Sequence, residues 1–314
     1  RLRDRESPYA ALVERGGEDP ALEAAARRDI ETFTLLAELD WDQVLAEVGG
    51  KAPREYGPVL ANLPRWRGSS PFSFAELTEF YRANGAGLFA RHRAFLWEDG
   101  ALCPVEQPDC PGADEMLGYE LQRNRVIANT RAMLEGNLVN NVLLYGDSGT
   151  GKSATVKNLL TLPGFEALRL IEVQKEGLAD LPRLIRTLGG RRLKFILFID
   201  DLAFDQDDKT YSALKTILEG GLERRPANVA VYATSNRRRL VRQTFSDRAG
   251  DEVDASETIQ EKTSLSDRFG LRIPYLALNQ AEFLELVEGM AEQAGIALDR
   301  DSLRAEAVKW EMRD

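Results

Sequence analysis

Residues 146–153 have the composition and spacing of a loop that binds phosphate groups. They are Gly146, Asp147, Ser148, Gly149, Thr150, Gly151, Lys152 and Ser153, which fit the pattern G-x-x-x-x-G-K-[ST]. The apolar run at 141–145 predicts a strand before the loop, and the pattern of 154–160 predicts a helix after it. Backbone N–H groups in such a turn converge on an anion, and the helix dipole adds to the attraction. A glycine turn that binds nothing is the alternative.

Two side chains of the loop are of the types that bind a nucleotide directly. We expect Lys152 to reach the β- and γ-phosphates of ATP and, without a ligand, to point into solvent. We expect the hydroxyl of Ser153 to bind Mg²⁺. The loop therefore predicts ATP and Mg²⁺ as cofactors.

A strand that ends in two carboxylates lies further along the chain. Residues 194–199 form a continuous apolar run, as in a central strand of a parallel sheet, and Asp200 and Asp201 follow it. We expect Asp200 to bind Mg²⁺ through its water shell and Asp201 to polarise the water that attacks the γ-phosphate. Taken alone, such a pair is more typical of a solvated turn. Its combination with the phosphate loop favours a catalytic site.

The composition is that of an ordinary globular protein, with 43% hydrophobic and 29% charged residues among 314. This length predicts two or three domains. No apolar run approaches the roughly 18 residues of a membrane span, so we expect no membrane partner. Two cysteines and one histidine fit a reducing, cytoplasmic location and offer no zinc set; two free thiols are favoured over a disulfide. The first residue is Arg1, which leaves a lost targeting segment open.

The formal charge of −10 and the pI near 5.0 argue against a chain-wide nucleic-acid footprint. The most basic stretch, at 237–248, is followed by an acidic stretch at 251–257. This alternation favours a solvated surface or a subunit contact, with contact to DNA as the alternative.

Helical signals dominate the first hundred or so residues. Asp19 with Pro20, and Ser73 with Glu76, are capping signals, and an amphipathic helical run is predicted from 88 to 96. The apolar side chains of these helices are expected to form a core. A Pro-rich linker is predicted at 102–114.

Alternating strands and helices follow this linker. Strands are predicted near 141–145, 168–173, 194–199, 229–234 and 272–277, which indicates an α/β fold with a parallel five-stranded sheet and helices on both faces. We expect a helical N-terminal domain at 1–111, a nucleotide-binding domain at 112–278 and a partial helical lid at 279–314.

Two later segments resemble motifs of the AAA+ P-loop ATPases. Residues 229–236 resemble the sensor 1 strand, which implies that Asn236 orients the attacking water. Residues 264–271 look like the segment that ends in an arginine finger, which implies that Arg268 acts on the nucleotide of a neighbouring subunit. A surface salt bridge is the alternative role for Arg268.

The sequence of the chain is similar to that of one family in particular, the bacterial ATP-binding proteins catalogued as domain of unknown function 815. The strings that carry this resemblance lie at 118–120, 140–146, 199–202, 232–238 and 260–270, within a match over roughly 112–314. The resemblance implies that Leu117, Gly118 and Tyr119 lie against the adenine. It implies no physiological role.

Two departures from related sequences limit what the resemblance implies. Most AAA+ motors have Glu where this chain has Asp201, which is one methylene shorter, so slow hydrolysis is expected. Related sequences also carry a Gly-Arg-rich stretch with a sensor 2 arginine after the position of Trp310, and this sequence ends at Asp314 before it.

The sequence therefore predicts an ATPase that binds and hydrolyses Mg-ATP at a subunit interface of a homo-oligomeric ring or open ring, with a hexamer as one arrangement. A protein partner held by the N-terminal helical domain would be remodelled. The alternatives are a nucleotide-gated loader or clamp on nucleic acid, and an ATP-binding scaffold with little turnover. Threading of polypeptide is not expected, because the loop at 174–177 has no aromatic residue.

Overall fold

In the computed structural model the chain divides into two compact units, Arg1–Gly87 and Leu88–Asp314. The structure describes residues 7–51, 53–61, 73–203, 214–215, 217–218, 225–236, 265–296 and 299–311. The basic and acidic stretches at 237–257 and the string at 260–264 lie outside these residues. The two units are described separately below.

The first unit is helical, as predicted. Its helices are α1 (Pro8–Glu14), α2 (Pro20–Glu38), α3 (Trp41–Lys51), α4 (Gly57–Ala61) and α5 (Phe74–Asn84), with a 3₁₀ turn at Arg54–Tyr56. The carboxylate of Asp19 caps α2 by accepting hydrogen bonds from Ala21 N and Leu22 N, and Ser73 with Glu76 forms the capping box of α5. Both helix starts therefore lie where the sequence placed them.

The apolar side chains of α2 and α5 are more exposed than predicted. Phe33 is 55% exposed and Phe80 is 46% exposed. The expectation that such residues form a core is therefore wrong for these two positions, because a few short helices cannot enclose both faces of a 19-residue helix.

The second unit contains a seven-stranded sheet. Its elements are α6 (Leu88–Arg91), β1 (Ala94–Glu98), β2 (Ala101–Pro104), α7 (Glu120–Leu134), β3 (Val142–Gly146), α8 (Lys152–Asn158), β4 (Leu168–Val173), α9 (Leu181–Leu188), β5 (Lys194–Ile199), β6 (Val229–Ser235), β7 (Leu271–Tyr275), α10 (Gln280–Gln293) and α11 (Arg300–Glu311). The strand order is β2-β1-β4-β5-β6-β3-β7, and only the β1–β2 pair is antiparallel. The α/β parallel fold predicted from the sequence is confirmed.

The sheet has seven strands rather than the predicted five, because β1 and β2 lie where a helix and a linker were expected. Asp99 and Gly100 both have positive φ, 49° and 72°, and form the two-residue turn of a β-hairpin. Phe95 and Trp97 on β1 are buried, and β1 pairs with β4. The division between the units lies at Gly87, whereas the sequence placed a domain boundary after residue 111. The further boundary at 278/279 stays a prediction.

The central strands are buried on both faces, which explains their continuous apolar sequences. Leu143 on β3 packs in one core cluster and Leu144 in the other, as the two-residue period of a strand requires. All seven residues of β6 are buried. Cys103 and Cys110 are free thiols. Among the described helices, none combines the length and apolar character needed to cross a bilayer.

Candidate functional site

The phosphate loop joins β3 to α8, as the sequence predicted. Gly151 precedes α8 in the left-handed conformation, with φ 81°, which costs a glycine little. A Cβ on Gly146 would lie 1.9 Å from the carbonyl oxygen of Tyr275, so only glycine fits there. The loop is thereby held against the end of β7. The remaining loop residues, Ser148, Gly149 and Thr150, line a cavity beside the loop.

Lys152 does not point into solvent as expected. Its side chain is buried, and its ammonium donates hydrogen bonds to the carbonyl oxygens of Gly146, at 3.2 Å, and Asp147, at 2.5 Å. Burial lowers the pKa of Lys152, while the nearby carboxylates of Asp147, Asp201 and Asp200 act in the opposite direction. The expectation failed because two carbonyl oxygens of the loop lie within hydrogen-bond reach of the ammonium.

Ser153 and Asp200 lie together at the edge of the sheet. The hydroxyl of Ser153 donates to Asp200 Oδ1 at 2.6 Å, although the residues are far apart in the sequence. The hydroxyl of Thr234, at the end of β6, donates to the same oxygen at 2.5 Å. Parallel strands bring their carboxyl ends to one edge, and β6 lies between β3 and β5.

Asp201 and Asn236 also form a pair. Asn236 Nδ2 donates to Asp201 Oδ1 at 2.9 Å, and Asp201 N donates to Thr234 Oγ1 at 2.9 Å. The backbone of Asp201 has φ 49°, in the left-handed region that is uncommon for a residue with a side chain. Both carboxylates are exposed, so the site is open to water.

Thr234 is the residue of this site whose contribution sequence reasoning missed. It is 2% exposed and bonds to both Asp200 and Asp201. A polar residue two positions before Asn236, at the end of an otherwise apolar strand, was the available signal.

A cavity of about 510 Å³ lies beside the phosphate loop, within the range typical of small-molecule sites. Leu117, Gly118 and Tyr119 line it, and their contact with adenine stays a prediction. The ring of Tyr119 stacks on that of Tyr275 with centroids 4.9 Å apart. Tyr275 OH is hydrogen-bonded with Thr155 Oγ1 at 2.9 Å, and burial raises the pKa of Tyr275 to about 12.

Helix α10 closes the other side of this cavity. Its contribution comes from the apolar side chains of Phe283, Leu286 and Met290. No local sequence pattern marks these residues or Tyr275, because the helix and the end of β7 meet the loop only in the folded chain, more than a hundred residues after it.

Arg268 is not brought to the loop within one chain. It lies exposed on the turn before β7, and the buried side chains of Leu265 and Phe269 anchor this turn. The backbone N–H of Arg268 donates to Leu265 O at 3.2 Å. Among the described residues, those that line the cavity do not include Arg268.

The phosphate loop after β3, the carboxylates after β5 and the asparagine after β6 together define an α/β protein with a P-loop. The chain belongs to the family described as "Protein of unknown function (DUF815)", whose profile matches residues 90–314. The match begins earlier than the predicted residue 112 and takes in β1 and β2.

Several solved structures are similar to parts of this chain. A single-residue variant of Thermotoga maritima RuvB is 16% identical over 64% of this chain and 58% of that chain, with a TM-score of 0.40. The Aeropyrum pernix ORC1 protein in complex with DNA is 18% identical over 60% of this chain and 52% of that chain, with a TM-score of 0.38. The chain thus spans less than two thirds of either protein. A comparison with curated proteins gave no match.

Proposed function

We propose that this protein binds Mg-ATP and hydrolyses it to ADP and phosphate. The observation that carries the proposal is the 2.6 Å hydrogen bond between Ser153 Oγ and Asp200 Oδ1 beside a phosphate loop. It brings the hydroxyl of Ser153, in the first turn of α8, and the carboxylate of Asp200, which follows β5, to one point beside the loop.

The oxygen atoms at this point fit Mg²⁺. Magnesium is bound in nucleotide sites by one or two carboxylates or hydroxyls together with phosphate oxygens. Ser153 supplies a hydroxyl and Asp200 supplies a carboxylate, and Asp200 is exposed to solvent. Bound there, Mg²⁺ would neutralise charge on the β- and γ-phosphates.

Three other side chains would act on the reacting groups. Lys152 would exchange its bonds to loop carbonyls for phosphate oxygens and keep its positive charge beside them. Asp201 would accept a proton from the attacking water, and the amide of Asn236 would hold the Asp201 carboxylate in place. Leu117, Gly118 and Tyr119, with the apolar side chains of α10, would enclose the adenine.

We further propose that the site works between subunits of a homo-oligomer. Arg268 is exposed and outside the cavity of its own chain, which supports action on the nucleotide of a neighbour. The helical N-terminal unit exposes large apolar side chains, including Phe33 and Phe80, which supports a role in holding a protein partner.

Calorimetry and single-turnover hydrolysis test the proposal. The parent protein should bind ATP with Mg²⁺ and hydrolyse it. Lys152→Ala should lose measurable binding because it removes the cation beside the phosphates. Asp201→Asn should keep binding and slow hydrolysis by about 10²–10⁴-fold, since the amide cannot accept the proton.

Lys157→Ala is the matched control, because it removes a lysine from the same helix, α8, outside the cavity. Failure of the parent to bind ATP would reject the proposal. Binding with hydrolysis unaffected in Asp201→Asn would instead identify an ATP-binding protein in which Asp201 is not the base.

A further inference from the structure

The segment that joins β7 to α10 is held by side chains of the nucleotide cavity. Asp147 N donates to Tyr275 O at 2.9 Å, and Ala277 N donates to Asp147 Oδ2 at 2.6 Å. From the other side, Tyr119 OH donates to Leu276 O at 2.7 Å. The last residue of β7 and the two residues that follow it are therefore fixed by the phosphate loop and by Tyr119.

Asp147 is bonded on two sides. Its carbonyl oxygen accepts from Lys152 Nζ and from Thr150 Oγ1, both within the phosphate loop. Its carboxylate accepts from Ala277 N. A negative charge in a loop that binds phosphate is electrostatically unfavourable. The hydrogen bond to the linker is a structural reason for a carboxylate at this position.

The linker leads directly into α10. Asn279 caps this helix, in a capping box with Glu282, so a displacement of the linker displaces the start of the helix. Glu288 on α10 is in turn bonded to Arg300 and Arg304 of α11. The two helices are thus connected to the phosphate loop through short, continuous contacts.

We propose that Asp147 is a positioning residue that transmits occupancy of the phosphate loop to α10 and α11. The inference rests on the proposed binding of ATP. When Lys152 turns from the carbonyl of Asp147 towards phosphate, one of the two anchors of Asp147 changes, and its carboxylate passes the change to Ala277. Loop and lid then move together, and the cavity wall formed by α10 responds to the ligand.

Hydrogen exchange followed by mass spectrometry tests this coupling in the whole chain, together with calorimetry of ATP binding. In the parent, ATP with Mg²⁺ should slow exchange in both 146–153 and 276–296. In Asp147→Ala, the phosphate loop should still be protected by ATP, whereas the added protection of 276–296 should be largely lost. Exchange is compared at ATP concentrations that calorimetry shows to saturate each protein.

Asp147→Asn is the matched variant, because its amide oxygen still accepts from Ala277 N. It should behave like the parent, which distinguishes a hydrogen bond from an effect of charge. Without nucleotide, exchange at the Ala277 amide should be about tenfold or more faster in Asp147→Ala, since a hydrogen bond to a charged group contributes on that order.

Equal protection of 276–296 by ATP in Asp147→Ala and the parent would overturn the proposal. So would a loss of coupling in Asp147→Asn as complete as in Asp147→Ala. If the parent fails to bind ATP in calorimetry, the proposed function fails, and unchanged exchange at Ala277 in the ligand-free variant would then reject the contact independently.

Discussion

A single hydroxyl organises the two carboxylates of the site. Thr234 donates to Asp200 Oδ1 and accepts from Asp201 N, so one side chain fixes the rotamer of the first carboxylate and the backbone of the second. Thr234 is buried, and Asp201 N also donates to Asp200 Oδ1 at 3.2 Å, so the two residues and Thr234 form one small network. The two proposed functions of the carboxylates, binding Mg²⁺ and accepting a proton, thus depend on one residue that touches neither reactant.

Replacing Thr234 by valine removes both bonds and keeps the shape of the side chain. Thr234→Val should retain ATP binding but bind Mg²⁺ more weakly, so that a higher Mg²⁺ concentration is needed. Hydrolysis should slow by about 10–100-fold, as is typical for partners that orient metal ligands. Thr234→Ser keeps the hydroxyl and should restore most of the rate. A Mg²⁺ titration of single-turnover hydrolysis measures both effects. Equal rates for Thr234→Val and the parent would show that the carboxylates orient without it.

The pairs Ser153–Asp200 and Asp201–Asn236 could be predicted from the sequence, because motifs that follow parallel strands meet at one edge of the sheet. The position of the Lys152 side chain could not be predicted, since it depends on which loop carbonyls lie within reach of its ammonium. The role of Thr234 could not either, because a hydroxyl can donate in many directions and only the packed structure selects one.

At the scale of elements, the structure confirms all five predicted strands. Four of them, β3 to β6, are mostly buried, whereas β7 is an edge strand on which Arg272 is exposed. The start of β1 instead follows a helical spacing from Leu88 to Leu96, and its pairing with β4 overrides that spacing. The second missed strand, β2, lies largely in the predicted Pro-rich linker. The Asp99–Gly100 turn was the local signal that favoured a hairpin.

Helices α10 and α11 are joined by a charged cluster. Glu288 on α10 accepts hydrogen bonds from Arg300 and Arg304 on α11, and its side chain is 19% exposed. The bond from Arg300 is the largest cause that lowers the pKa of Glu288 from its ordinary value of 4.5 to about 2. Because the folded state has the lower pKa, this stabilisation is fully present above about pH 4.5 and is lost as the pH falls towards about 2.

Glu288→Gln tests this pH dependence. At neutral pH the variant should show faster hydrogen exchange in α11 than the parent. The difference between the two proteins should shrink as the pH falls below about 4.5, because protonation then removes the same charge from the parent. Glu79→Gln is the control, because the exposed pair of Glu79 with Arg82 lies in the other unit, with 3.6 Å between charged atoms. A difference that is constant with pH would assign the effect to packing alone.

For the whole molecule, the central question is whether one chain contains a complete site. The loop, the carboxylates and Asn236 meet within a single chain, whereas Arg268 lies on an exposed turn that does not line the cavity among the described residues. A guanidinium that acts in trans makes hydrolysis depend on assembly, because its planar fork can stabilise the transition-state charge only when two chains are in contact.

Arg268→Ala should therefore bind ATP like the parent and lose hydrolysis, by about 10³–10⁵-fold if it behaves as a full arginine finger. Adding Lys152→Ala protein, which keeps Arg268 but has no working site of its own, should restore part of the activity at concentrations where the chains assemble. Arg272→Ala is the matched control, since this nearby exposed arginine pairs with Asp267 at 2.5 Å and should be dispensable.

If Arg268 acts on the nucleotide of a neighbouring chain, hydrolysis must depend on assembly, and the parent protein can test this without any substitution. Its activity per subunit should fall on dilution in step with the loss of oligomer measured by ultracentrifugation, because each site needs a neighbour. Activity per subunit that stays constant down to a demonstrated monomer would place every catalytic group within one chain. Arg268 would then be a surface residue, and the assembly would serve the partner protein rather than the chemistry.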